Sequence, residues 1–129
     1  MNFLLIFLGG GLGAVSRWSL SSSIEKLALK TSLHRFPLAI LACNLLGCLL
    51  IGCVFGYFVH KHPAWIFPFL VTGFLGGFTT FSTFGRDTFE ALRDGFPAIA
   101  LVNILLSVLL GLAAVWAGIK LGQSLAPAA

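Results

Sequence analysis

The sequence predicts an all-α membrane protein of four transmembrane helices, the third of them broken, and three observations carry that prediction. Of 129 residues, 58% are hydrophobic and 9% charged, against roughly 25% charged in soluble domains. Eight Lys or Arg and four Asp or Glu cannot cover a water-exposed surface, so the solvent is lipid. The apolar residues fall into four runs, each near the ~20 residues that cross a bilayer. Within the third run, two glycines and two threonines interrupt the apolar pattern. The spans are expected over about 3–23, 36–59, 64–92 with a break near 76–80, and 96–121. Residues 1–129 form one domain, leaving no length for a separate extramembrane unit, so any site lies within the spans or at their mouths.

The first span has no Lys or Arg before it, and Gly9-Gly10-Gly11 interrupts it where a signal peptide would be most apolar. Gly9, Gly11 and Ala14 fit a dinucleotide fingerprint, but no strand precedes them and they lie in lipid. The first connection carries Glu25, Lys26, Lys30, His34 and Arg35; the second is His60-Lys61-His62-Pro63; the third holds Arg93, Asp94 and Gly95 before Pro97. Four helices place both termini on one side. Lys26, Lys30, Arg35 and Arg93 on one side against Lys61 and Lys120 on the other give a modest charge bias. The net charge of +4 suits anionic headgroups and calls for no nucleic acid.

In the second span Cys43, Cys48 and Cys53 are spaced by five, so successive sulfurs turn ~140° around the helix and read as packing residues. His60 and His62 lack further ligands for a metal. The 15 glycines include pairs four apart: Gly9 and Gly13, Gly52 and Gly56, Gly73 and Gly77, Gly118 and Gly122. Such pairs let helices approach closely, which matters in lipid because the hydrophobic effect does not drive helix association there. Four close-packed spans leave little room for an aqueous route inside one subunit, so a transport path calls for a second.

Polar residues at membrane depth are the candidate functional groups. Arg17 in the first span needs water, an anion or a partner. The amide of Asn44 must find hydrogen bonds inside protein. Asn103 and Ser107 share one stripe of the fourth helix with Gly111. The densest signal is the third-span run from Gly73 to Phe84, in which Gly76-Gly77 and Thr79-Thr80 are poor helix formers. An interruption there frees carbonyls that suit a hard cation such as Na⁺. Phe81 and Phe84 flank the hydroxyls of Ser82 and Thr83, and the positive edge of a phenyl ring attracts a small anion without trapping it.

At these residues the sequence resembles the Fluc (CrcB) family of bacterial fluoride channels over essentially the whole chain. The markers are Gly10, Gly13, Ala14 and Arg17; Asn44 followed by Gly47; the block from Gly76 to Phe84; and the polar stripe of the fourth helix. The resemblance implies a fluoride-selective channel in the bacterial plasma (inner) membrane. It exports cytoplasmic fluoride passively and works as an antiparallel, dual-topology homodimer with one structural Na⁺ at the dimer interface. It further implies that main-chain carbonyls of Gly76 and Thr79 from both subunits hold that ion. Phe81, Phe84 and Asn44 would line the fluoride pathway with Ser82, Thr83, Asn103 and Ser107, while Arg17 makes the vestibule positive. The chain departs from the family pattern at Ala39-Ile40, where Gly-Thr is usual, and at Asp87, often Glu. Two other classes compete: a small four-helix multidrug-type transporter, which needs an embedded carboxylate, and a structural membrane subunit. An enzyme is not expected, since every histidine lies in a connection and no nucleophile can be set beside one.

Overall fold

The computed structural model describes residues 2–31, 35–58 and 62–126, so His34, His60 and Lys61 lie outside the described residues. Within these the secondary-structure elements are all helices: α1 (Asn2–Ala28), α2 (Leu38–Tyr57), α3 (Ile66–Leu75 continued by the single turn Gly76–Phe78), α4 (Phe81–Arg93) and α5 (Pro97–Leu125). Four helical spans are long and apolar enough to cross a membrane, with α3 and α4 together making the third, and their mean hydropathies are 1.5, 2.5, 1.3 and 2.6. The observed helices differ from the expected spans mainly at their ends. Thus α1 continues past residue 23 to Ala28, through a polar stretch in which the Ser23 hydroxyl donates to the Ser19 carbonyl.

Glycine decides how these helices meet. A Cβ at Gly9 would collide with the Phe69 carbonyl, and one at Gly13 with the Phe74 carbonyl, so the backbones of α1 and α3 touch. The same relation joins α2 to α5. Gly52 and Gly56 lie against the Val115 and Ile119 carbonyls, while Gly118 and Gly122 lie against those of Leu49 and Cys53. All four glycine pairs of the sequence are thus consumed in two helix seams, where close backbone contact supplies the dispersion energy that lipid-exposed leucines cannot. Cys43, fully buried, sits under α1 with its thiol 4.0 Å from the Arg17 carbonyl.

Residues Ile66–Leu75 are wound in the wide π form, a rare conformation associated with functional segments; the Gly76 N–H still reaches the Val71 carbonyl. Gly76 and Gly77, expected to unwind, are helical. Gly77 is needed for packing instead, because a Cβ there would meet the Gly10 carbonyl. Within the third span the backbone is extended at Thr79 (φ −93°, ψ 156°) and Thr80 (φ −150°, ψ 116°). At the far end of α4 the Gly95 N–H bonds the Leu92 carbonyl and the Phe96 N–H the Ala91 carbonyl. With Gly95 at φ 83° this is a Schellman turn, and Pro97 then starts α5 at the position that needs no N–H.

Candidate functional site: the interrupted third span

Interrupting a helix at membrane depth leaves main-chain groups that must find partners, and side chains from two other helices supply them. The Asn44 amide of α2 clamps the Thr80 peptide. Its Oδ1 accepts the Thr80 N–H at 2.9 Å and its Nδ2 donates to the Thr80 carbonyl at 3.2 Å. From the other side Arg17 of α1 donates from Nε to the Gly77 carbonyl at 3.1 Å. Thr80 also caps α4: its Oγ1 accepts the Thr83 N–H at 3.3 Å. The Thr83 and Ser82 hydroxyls lie 3.1 and 3.2 Å from the same oxygen.

These bonds release two particular carbonyls. In an unbroken α-helix the Thr80 N–H would serve Gly76, and the Thr83 N–H would serve Thr79. Asn44 takes the first donor and the Thr80 hydroxyl takes the second. Gly76 is exposed and Thr79 half-buried. Hard carbonyl oxygens of this kind suit Na⁺, so the chemistry at Gly76 and Thr79 fits such an ion. The Thr79 side chain is committed elsewhere. Its hydroxyl bonds the Leu75 carbonyl at 2.9 Å, and its methyl fills the space that a Cβ at Gly47 would need.

Beside the break runs a groove of about 410 Å³ whose lining includes Asn44, Gly76, Thr79, Phe81, Phe84 and Ser107. Its walls are mainly apolar. The rings of Phe81 and Phe84 lie 5.5 Å apart between centroids at 41°, and Phe81 is 83% exposed. The Ser107 hydroxyl is buried and has no hydrogen-bond partner among the described residues. Asn44 has two amide N–H donors and spends one on Thr80.

Residues expected at one site thus divide by location. Asn103 is 2% exposed and does not line the groove; its Nδ2 donates to the Thr88 hydroxyl at 2.9 Å. Arg17 lines neither the groove nor the other cavity described, and Thr83 serves the α4 cap. The sequence reading missed Thr80, the centre of the clamp, and Thr88. Thr80 carried a legible signal, a threonine immediately before a helical Phe-Ser-Thr run, which is the residue type that caps helices. Thr88 stands one turn after Phe84, a spacing visible in the sequence but meaningless until α5 is placed against it.

A second cavity, about 520 Å³, opens where the first and third connections meet, and all four carboxylates of the chain, Glu25, Asp87, Glu90 and Asp94, line it. Arg86 lies 2.7 Å from Asp87 and 4.0 Å from Glu90. Arg35 lies over the Phe96 ring at 4.8 Å. No carboxylate lines the groove beside the break, so the proton-coupled exchange of a multidrug-type transporter has no embedded acid to work with there.

Together, the four apolar spans, the third of them with an irregular segment bordered by a groove, define a multi-pass membrane protein. Comparison with known proteins makes the assignment particular. The sequence pattern of the family described as "CrcB-like protein, Camphor Resistance (CrcB)" matches residues 4–119, and the chain belongs to that family. It is 42% identical over 126 residues to "Fluoride-specific ion channel FluC" of Solibacter usitatus, covering 95% of this chain and 99% of that one. The protein of the same name from Paracoccus denitrificans is 42% identical over 124 residues, with 96% of each chain covered. That from Coxiella burnetii (strain CbuK_Q154) is 40% identical over 128 residues, covering 97% of this chain and 100% of its own.

Proposed function

We propose that this chain is a fluoride-selective channel of the bacterial plasma membrane that lets cytoplasmic fluoride leave down its electrochemical gradient and so protects the cell from it. The observation that carries the reading is the groove beside the break, where Phe81 and Phe84 stand with an unpartnered Ser107 hydroxyl and a spare Asn44 N–H. Ring edges and neutral donors replace the water of a small anion without a fixed positive charge that would hold it in place. Ser82 and Thr83 continue the polar surface from the break, and the half-buried Arg17 raises the potential beside it. Asn103 contributes from behind the groove rather than along it. No nucleotide motif or groove carboxylate couples the path to an energy source, which supports passive conduction.

A second copy of the chain completes the site in this reading. The carbonyls released at Gly76 and Thr79 and the exposed Phe81 would otherwise face hydrocarbon, where unpaired carbonyls are costly. An antiparallel partner brings the same two carbonyls to meet them, and four such oxygens hold a structural Na⁺ at the interface. The modest charge bias between the two sides supports insertion in both orientations.

Fluoride efflux from liposomes that contain only the purified chain tests the function. We expect efflux driven by the gradient and blind to chloride; no efflux, or efflux that needs ATP or a fixed proton stoichiometry, refutes it. Reporters fused to the C-terminus are expected on both sides of the membrane, and one-sided insertion defeats the antiparallel dimer. Replacing Na⁺ by a bulky organic cation throughout purification is expected to lower both efflux and dimer stability. If neither changes, the sodium site is wrong.

A further inference from the structure

We propose that Thr88 is a positioning residue that fixes the ring of Phe84 through a hydrogen-bonded latch between α4 and α5. The inference rests on the fluoride-pathway reading of Phe84 and adds Thr88, a residue that no part of that reading assigns. Asn103 on α5, 2% exposed, donates from Nδ2 to the Thr88 hydroxyl at 2.9 Å. Thr88, 8% exposed, donates that hydroxyl to the Phe84 carbonyl at 2.7 Å. Donor follows donor in one direction from α5 to the Phe84 main chain, an arrangement in which each bond polarises the next.

The rest of the site explains why such a latch matters. Phe81 is 83% exposed and Phe84 half-buried, so packing within the subunit holds Phe81 little, and the relation of the two rings depends on the placement of α4. The Thr80 cap and the Asn44 clamp fix the start of α4 at the break. Thr88 fixes it two turns on, immediately behind Phe84. A threonine hydroxyl bonded to the carbonyl four residues back also bends a helix slightly, which sets the direction in which Phe84 leaves the backbone. Apolar contact between α4 and α5 would tolerate sliding, because lipid and leucine are equally apolar; a buried Asn–Thr–carbonyl path does not, because any slip strands an amide.

The test places 4-fluorophenylalanine at position 84 and reads its fluorine resonance alongside fluoride efflux from liposomes. The otherwise wild-type chain should give one narrow resonance. Thr88→Val should broaden or split it and slow efflux about tenfold, the upper range for losing one interhelical hydrogen bond in a membrane, while Thr88→Ser should restore both. Should Thr88→Val misfold because Asn103 is left unpaired, the double variant Thr88→Val with Asn103→Leu removes both partners and recovers folding. A purely structural role predicts recovery of the resonance in that double variant; the latch predicts that the resonance stays altered, and efflux is not scored there because Asn103 itself contributes to the pathway. An unchanged resonance in folded Thr88→Val, or full recovery of the resonance in the double variant, overturns the proposal. Absence of efflux from the unsubstituted chain would overturn the fluoride reading instead, and the resonance alone would then decide the latch.

Discussion

Asn44→Leu is the substitution with the widest consequences, since it keeps the volume of the side chain and deletes both arms of the clamp on Thr80. The bonds lost are at 2.9 and 3.2 Å. Interhelical hydrogen bonds in membranes contribute about 0.6 kcal/mol on average and up to about 1.7. Stranding the Thr80 carbonyl costs a further ~1–3 kcal/mol. The Thr80 N–H escapes that penalty, because without Asn44 it can return to the Gly76 carbonyl and repair the helix. A net loss of about 3 kcal/mol follows, roughly two orders of magnitude in the ratio of clamped to unclamped chains. The repair also withdraws the Gly76 oxygen from any cation. We therefore expect a lower denaturation midpoint, fluoride efflux reduced about 100-fold, and weakened response to Na⁺, all from one change. Liposome efflux and denaturant titration in detergent measure these. Efflux within twofold of the unsubstituted chain, with an unchanged midpoint, would show that Asn44 does not hold the break.

Two further outcomes follow from the same geometry. Phe81→Ile and Phe84→Ile keep bulk and hydrophobicity but remove the ring quadrupole, so efflux should fall by orders of magnitude while folding persists. Phe69→Ile, where the ring packs near Trp65 at 6.3 Å, should leave efflux unchanged, and equal effects at all three positions would mark the rings as packing groups only. Gly13→Ala should destabilise the fold by about 1–3 kcal/mol through overpacking against the Phe74 carbonyl. Gly11→Ala meets nothing within 4 Å and should gain up to about 1 kcal/mol of helix propensity. Equal unfolding midpoints for these two variants would contradict the α1–α3 seam.

The sequence by itself determined the solvent and the number of spans, because these depend on composition and on the lengths of the apolar runs. Few charges and four apolar runs leave only helices in lipid. Glycines four apart announce close helix contact, although they do not say which helices meet; only the folded chain pairs Gly9 and Gly13 with α3, and Gly52 and Gly56 with α5. Local reasoning went wrong at Gly76-Gly77, because low helix propensity is a weak preference that the tight fit of Gly77 against Gly10 overrides. Tertiary structure alone decided what each polar side chain does. Asn44, Arg17 and Asn103 look alike in the sequence as isolated polar groups in apolar helices. Once folded, Asn44 holds the Thr80 peptide beside the groove, Arg17 holds the Gly77 carbonyl behind it, and Asn103 reaches Phe84 only through Thr88. A hydrogen bond between helices depends on their relative depth and rotation, which arise from packing over the whole seam and leave no trace in the spacing of any one helix.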